Sequence, residues 1–235
     1  MKTFFRNLII ILSYLTSIPF WRRLFLSKPV LRVWCLHEVK DNQINQFENK
    51  IKYLKNNFNI ITPAQFEAGD LAKEKPNVLI TFDDGFNSWF KNVLPVFKKH
   101  KISAIFFINN HFQDRVGVIV AAGHSLGGHS QNHRRLTELS KEELEQEVWQ
   151  SQKSDFFAYP FGDKRSFNRQ VMAEIKKAGF NYGFTILPGF NTSNTNHLSL
   201  HRDSLDADVP DWLFKLWLKG SYDWVKKILF SPPTG

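Results

Sequence analysis

Cysteine is all but missing from this chain: Cys35 is the one thiol in 235 residues. An internal disulfide is therefore excluded, and so is a zinc site built from cysteines. Cys35 stands in the apolar run "LRVWCLH", where a thiol packs as a small inert hydrophobe. A long apolar run is also lacking at the N-terminus. There the uncharged, largely apolar stretch from Asn7 to Trp21 falls short of the ~20 residues that comfortably span a bilayer. No dense block of Lys and Arg occurs either, although the formal charge is +9. The basic residues come in small groups, as in "WRR", "FKKHK", "HRR" and "VKK", with no aromatic RNA-binding signature among them. Nucleic acid is set aside as a partner on that ground. The surplus charge suits a solvated surface, or contact with an anionic glycan or membrane.

What is present describes one substantial globular domain. Hydrophobic residues make up 43% and charged residues 23% of the chain, close to ordinary globular values, and the 23 Phe residues predict an aromatic-rich core. Residues 1–29 are set apart. Lys2 and Arg6 precede the apolar stretch, Arg22 and Arg23 follow it, and Leu15 occupies a place where a signal cleavage site wants a small residue. The segment reads as a membrane anchor, an uncleaved signal or an arm packed on the domain, with the domain proper at 30–235.

Within the domain, strand and helix patterns alternate. "VLRVWCL", "NVLITF", "SAIFFIN", "FFAYP", "YGFTI" and "LSLH" read as strands, and "AGHSLGGH" as a strand end turning into a loop. Helices are predicted over 46–57, over 89–99 despite Pro95, after the capping box of Ser140 and Glu143, and over "NRQVMAEIKKAG". About seven βα units in a parallel α/β fold account for this alternation. The Trp-rich C-terminal stretch "VPDWLFKLWLKGSYDWVKKILF" reads as a helix covering the barrel, with an interfacial helix as its alternative.

Chemistry in parallel barrels gathers where strands end, and the polar residues here fall at those places. His37 follows the first strand, Asp83 and Asp84 the "NVLITF" strand, His129 and His133 the "SLGG" segment, Pro160 to Gly162 the "FFAY" strand, and His201 the last. Two adjacent carboxylates at the end of an apolar strand repel one another, and a cation or a proton must resolve the conflict. "DDG" alone makes a good turn, which explains the glycine but not the apolar strand that feeds it. His129 and His133, four apart, face one side if their segment makes a helical turn. With one carboxylate they form a donor set of two imidazoles and an oxygen, which suits zinc and leaves room for water. His124 is a rival ligand with poorer spacing.

"TFDDG", "HSQNH" and "FAYPFG", in that order, resemble the first three motifs of the polysaccharide deacetylase family, the NodB-homology domain of carbohydrate esterase family 4. The resemblance runs from about Val30 to Trp224 and includes "LHEV" and the whole stretch "AAGHSLGGHSQNHRRLTELSKEEL". It implies a distorted, NodB-like (β/α) barrel and one divalent metal ion, zinc first, with cobalt, nickel or manganese as alternatives. It implies Asp83 as general base, Asp84, His129 and His133 as metal ligands with Ser130 in the Ser/Thr place, and a groove lined by Tyr159, Pro160, Phe161 and Gly162, where the Phe161 N–H helps hold the oxyanion. Ala158 stands where the third motif commonly begins with Arg. "FAYPFG" resembles the subgroup without it, and Arg202 in "LHRDSL" is the candidate replacement. His201 is the candidate general acid, with His197 as rival, and His37 is assigned to the groove. The activity implied is removal of acetyl groups from N-acetylated sugars of a bacterial envelope or capsule glycan, or its lipid-linked precursor, by an enzyme at the membrane or envelope, the cytoplasmic face included. The alternatives are a catalytically weak sugar-binding module, and an O-acetyl esterase or non-sugar amidase using the same site.

Overall fold

The computed structural model describes residues 29–109, 112, 116–220 and 223. The N-terminal segment expected to hold an anchor or signal falls outside them up to residue 28. The strands are β1 (Leu31–Leu36), β2 (Asn59–Ile60), β3 (Asn77–Phe82), β4 (Ile105–Ile108), β5 (Ser125–Gly128), β6 (Phe156–Ala158), β7 (Tyr182–Phe184) and β8 (Asp203–Ser204). They form one sheet in the order β7-β6-β5-β4-β3-β1-β8, every pairing parallel. On one edge of β3, β2 pairs with Asn77 and Val78 while β4 pairs with Thr81 and Phe82. Two neighbours share a single edge, and the sheet is pulled out of regular barrel geometry there. A parallel bridge from Phe184 to Leu200 then links β7 to the segment leading into β8, so the curled sheet nearly meets itself. The expected strand at "LSLH" is corrected: His197–Ser199 make a 3-10 turn, and pairing with β1 resumes only at Asp203.

Strand alternation divides the side chains between an inner and an outer face of the sheet. Leu31, Val33, Leu79, Ile105, Phe107, Phe156, Ala158 and Phe184 pack inside the curl. Trp34, Leu36, Ile80, Phe82, Phe106 and Ile108 face outward under helices α1 (Ile44–Asn57) and α3 (Leu94–His100). The interior is crowded. A Cβ on Gly127 of β5 would come 2.4 Å from the Phe107 ring, so only glycine lets that ring fill the centre. Pro95 does not break its helix. Trp89–Val93 make a wide π-helical turn, and α3 begins at Leu94 with Pro95 in its first turn, where a missing N–H costs nothing.

The remaining helices are α2 (Pro63–Glu67), α4 (Val116–Ala121), α5 (Lys141–Trp149), α6 (Arg169–Lys177) and α7 (Asp211–Leu218). Ser140 and Glu143 make the capping box expected at the start of α5. The described part of the Trp-rich C-terminal stretch covers the barrel: Phe214 of α7 packs edge-on to Trp34 at 4.9 Å. Buried Arg32 donates to the carbonyls of Trp217 at 2.6 Å and Leu218 at 3.2 Å, which caps that helix end with a cation.

His124 lies in the outward core between Phe97 and Phe106, its Nδ1 accepting the Ala104 N–H at 3.2 Å. That placement removes it as a metal ligand. Burial pushes its pKa down from 6.5 to about 4. Between those values the unfolded chain binds the proton and the native one resists it. Stability is therefore full above pH 6.5 and falls as pH drops toward 4. Urea unfolding is expected to lose on the order of 2 kcal/mol across that window, after allowance for solvent screening; the variant His124→Phe, which cannot titrate, is expected to lose less.

Candidate active site

Asp83 extends β3 by one residue, its N–H donating to the Leu36 carbonyl at 2.9 Å. Counting alternately back through Thr81 and Leu79 puts its side chain on the inward face, where it is 2% exposed. There it meets Arg202. Two parallel bonds of 2.7 Å join Nη1 to Oδ1 and Nη2 to Oδ2, the fork geometry that suits guanidinium and carboxylate. Arg202 is fully buried. Its Nε donates to the Thr185 carbonyl at 2.8 Å, Nη1 also reaches Thr81 Oγ1 at 3.2 Å, and the guanidinium lies 5.3 Å from the centre of the Phe107 ring. Burial alone would raise the Asp83 pKa, but the guanidinium outweighs it and holds the carboxyl at about 2. The Cys35 thiol faces the same carboxylate at 3.5 Å, and burial pushes its pKa up, so it stays a thiol.

The next residue turns the other way. Asp84 has φ of 80°, a left-handed conformation that Asp tolerates better than most residues, and its carboxylate is directed toward the loop after β5. Oδ1 lies 3.2 Å from His129 Nε2 and 3.4 Å from His133 Nε2. The two histidines converge without the helical turn expected for them. Ser130 and His133 both have positive φ, 58° and 54°, and the Ser130 hydroxyl accepts the His133 N–H at 2.9 Å. The spacing is right, but a strained loop rather than a helix exploits it.

These three groups fit a metal ion. His129 Nδ1 lies 2.8 Å from the Ala158 carbonyl; donation there fixes the tautomer and leaves Nε2 with a lone pair aimed at Asp84. Burial, and then the neighbouring His129, depress the pKa of His133, so protonating both rings is disfavoured. The convergent lone pairs call for a cation. Bonds of ~2.0–2.1 Å arranged tetrahedrally place ligand atoms roughly 3.3–3.4 Å apart, which is the spacing found between Asp84 and each histidine. Cys35, His37 and Asp83 form a second close group, but Arg202 already occupies both oxygens of Asp83, and a second cation there would face it directly.

Around this centre the third motif forms a tight turn. Phe161 and Gly162 have φ of 62° and 59°, and a Cβ on Gly162 would sit 2.8 Å from the Ile186 nitrogen. Phe161 is 48% exposed; its ring lies 4.8 Å from that of His133 and 4.7 Å beneath the Arg135 guanidinium. Arg135 also pairs with Asp163 at 2.7 Å, tying the metal loop to the third-motif turn. Pro160 is buried behind it. Tyr159 is corrected: it points into the core beneath α5 and α6, fully buried, and its hydroxyl donates to the Leu198 carbonyl at 2.7 Å. It supports the turn from behind and offers no atom to a substrate.

The histidines assigned as general acid are corrected too. Arg202, and not His201, reaches Asp83, and His201 is engaged with the segment after β7. Its N–H donates to Asn191 Oδ1 at 2.8 Å, its carbonyl accepts from Asn191 Nδ2 at 2.9 Å, and its ring nitrogen lies 3.2 Å from the Leu187 carbonyl. His197 is farther still from the site. Its ring lies 5.4 Å from that of Tyr182, at the start of β7, whereas the site lies where strands end. His37, in contrast, continues the inward alternation of β1 one step beyond Cys35, half-buried, with its ring nitrogen within 4.8 Å of the Asp83 carboxylate.

The profile of the family described as "Polysaccharide deacetylase" matches residues 70–183, a span that holds Asp83, Asp84, both loop histidines and the Phe161 turn. The chain is 29% identical over 220 residues to a poly-beta-1,6-N-acetyl-D-glucosamine N-deacetylase of Staphylococcus aureus (strain MSSA476), covering 77% of this chain and 73% of that one. It is 26% identical over 195 residues to YxkH of Bacillus subtilis (strain 168), named for the same family, covering 74% and 69%. Among solved structures, the Streptococcus pyogenes deacetylase PplD in complex with acetate superposes with a TM-score of 0.67 at 17% identity, over 81% of this chain and 98% of that one. IcaB from Ammonifex degensii gives 0.62 at 21% identity, over 83% and 97%. Both share the curled parallel barrel.

Replacing Arg202 with Met strands a buried carboxylate, and the expected loss of stability is about 3–5 kcal/mol. Arg202→Lys is expected to recover only part of it, because one ammonium cannot reproduce the fork. Unfolding midpoints of the three proteins check this; a loss below about 1 kcal/mol for the Met variant would contradict it.

Proposed function

The chain belongs to the polysaccharide deacetylase family, and from that premise we propose that it hydrolyses the N-acetyl groups of an envelope or capsule glycan, or its lipid-linked precursor. Water adds to the acetyl carbonyl, the C–N bond breaks, and acetate and the free sugar amine leave. The observation that carries this is the division of labour between neighbouring carboxylates: Arg202 grips Asp83, while Asp84 joins two imidazoles in a cation-binding set.

Asp84, His129 and His133 would hold the ion, with zinc proposed from the donor set and cobalt, nickel or manganese compatible with it. A divalent ion held there would supply Lewis acidity to the attacking water and the acetyl oxygen. Asp83 is assigned as the base that takes the proton of the attacking water. Its partner keeps it ionised and aimed, at the cost of proton affinity. The Phe161 N–H, on its left-handed turn, is assigned to the developing oxyanion. His37, and not His201, is assigned to protonate the departing amine. Ala158 in place of Arg, with Arg202 entering from β8's approach, supports the FAYPxG-type subgroup. The cell envelope is the proposed location, with peripheral membrane contact through the basic and apolar N-terminal segment; among the described residues no helix is long and apolar enough to cross a membrane.

Acetate release from N-acetylglucosamine oligomers, β-1,6-linked ones first, tests the proposal. The zinc-loaded wild type is expected to release acetate, and Asp83→Asn to be slower by a hundredfold or more. No release from any N-acetylated glycan would contradict it. His37→Gln is expected to lower the rate of C–N cleavage at least tenfold, while His201→Gln stays within about twofold. The opposite ranking would return the proton donor to His201.

A further inference from the structure

Glu147 on α5 has no part in the chemistry above, yet it is 2% exposed, and no basic group among the described residues lies in ion-pair range of it. A carboxylate buried without a cation is costly unless hydrogen bonds compensate. Here both oxygens serve one residue of the metal loop. Oε2 accepts the Asn132 backbone N–H at 2.8 Å, and Oε1 accepts from the Asn132 side-chain amide at 2.9 Å. The Glu147 backbone carbonyl also accepts the Gln131 N–H at 3.0 Å. We propose that Glu147 is a positioning residue that holds His133 in ligating position by clamping the peptide ahead of it, an inference that rests on the metal centre assigned above.

The loop needs such a clamp. His129 is anchored through its ring to Ala158, but His133 sits beyond a turn with two non-glycine residues at positive φ, conformations that persist only when the surroundings over-determine them. The Ser130 hydroxyl fixes the His133 N–H from one side, and Glu147 fixes Gln131 and Asn132 from the other. Two N–H donors converge on a single side chain. A carboxylate supplies two acceptors, whereas a glutamine would turn an NH2 toward one of the donors. A carboxylate is thus the side chain that offers each of the two donors an acceptor at that point.

The same geometry provides a rescue. In Glu147→Gln one donor of the clamp meets another donor. Adding Asn132→Asp converts that side chain into an acceptor, so the glutamine amide can donate to it while the glutamine carbonyl still receives the backbone N–H. Zinc affinity by chelator competition, and amide hydrogen exchange at positions 131 and 132 in the metal-free protein, are measured on the full chain. Glu147→Gln is expected to weaken zinc binding about ten- to a hundredfold and to expose both amides to exchange. The double variant is expected to recover affinity to within about threefold of wild type. Wild-type affinity and protection in Glu147→Gln, or failure of the double variant to recover either, would overturn the clamp while leaving the metal centre standing. A wild type that takes up no zinc would refute the metal centre itself, and the clamp with it.

Discussion

The buried fork between Arg202 and Asp83 is the constraint on which the rest of the site depends. Neighbouring carboxylates at a strand end repel one another, and this fold separates them by giving each a different partner. Arg202 neutralises Asp83 from inside the barrel, at two bonds of 2.7 Å. Asp84 turns outward on a left-handed residue toward a pair of imidazoles. If a metal ion were the sole cation, both carboxylates would compete for it and neither would be reserved as a base. The guanidinium therefore does more than stabilise: in the proposed mechanism it is what reserves Asp83 as the base and leaves Asp84 to ligate.

That arrangement explains several features of the barrel together. Arg202 reaches Asp83 because the chain bridges β7 at Leu200 and then joins β1 as β8, which carries a long cationic side chain into the interior. The guanidinium is accommodated there by Thr81, the Thr185 carbonyl and the Phe107 ring. Phe107 in turn has room only because residue 127 lacks a side chain. Packing at the centre of the curl and catalysis at its end are thus continuous. Substitutions at Gly127 or Thr185 are therefore expected to reach Asp83, the proposed base, through Phe107 and Arg202.

Much of this was legible in the sequence, and the residues that were misread share a cause. The order of strands and helices followed from periodicity, and Arg202 was a candidate because the family resemblance left the place of the third-motif arginine to Ala158. Side-chain direction was harder to read. His201 and Arg202 are neighbours just ahead of β8, and only Arg202 reaches Asp83, while His201 is tied to Asn191 and Leu187. Tyr159 fails for the same reason, one step out of phase with Ala158. His37 lies in phase with Cys35 on the inward face, a signal present in the sequence but unusable until the curl of the sheet defines an inside. Glu147 left almost no trace: a glutamate in a capped helix looks like surface charge, and only the fold shows it turned inward beneath a loop fifteen positions away.

The most direct test of the divided carboxylates is zinc stoichiometry and affinity in Asp83→Asn beside Asp84→Asn. If Arg202 and the ion each claim one aspartate, Asp83→Asn keeps about one ion per chain near wild-type affinity and Asp84→Asn loses it. Equal loss in both variants would mean that the carboxylates share the ion, and the division of roles on which the proposed mechanism rests would be wrong.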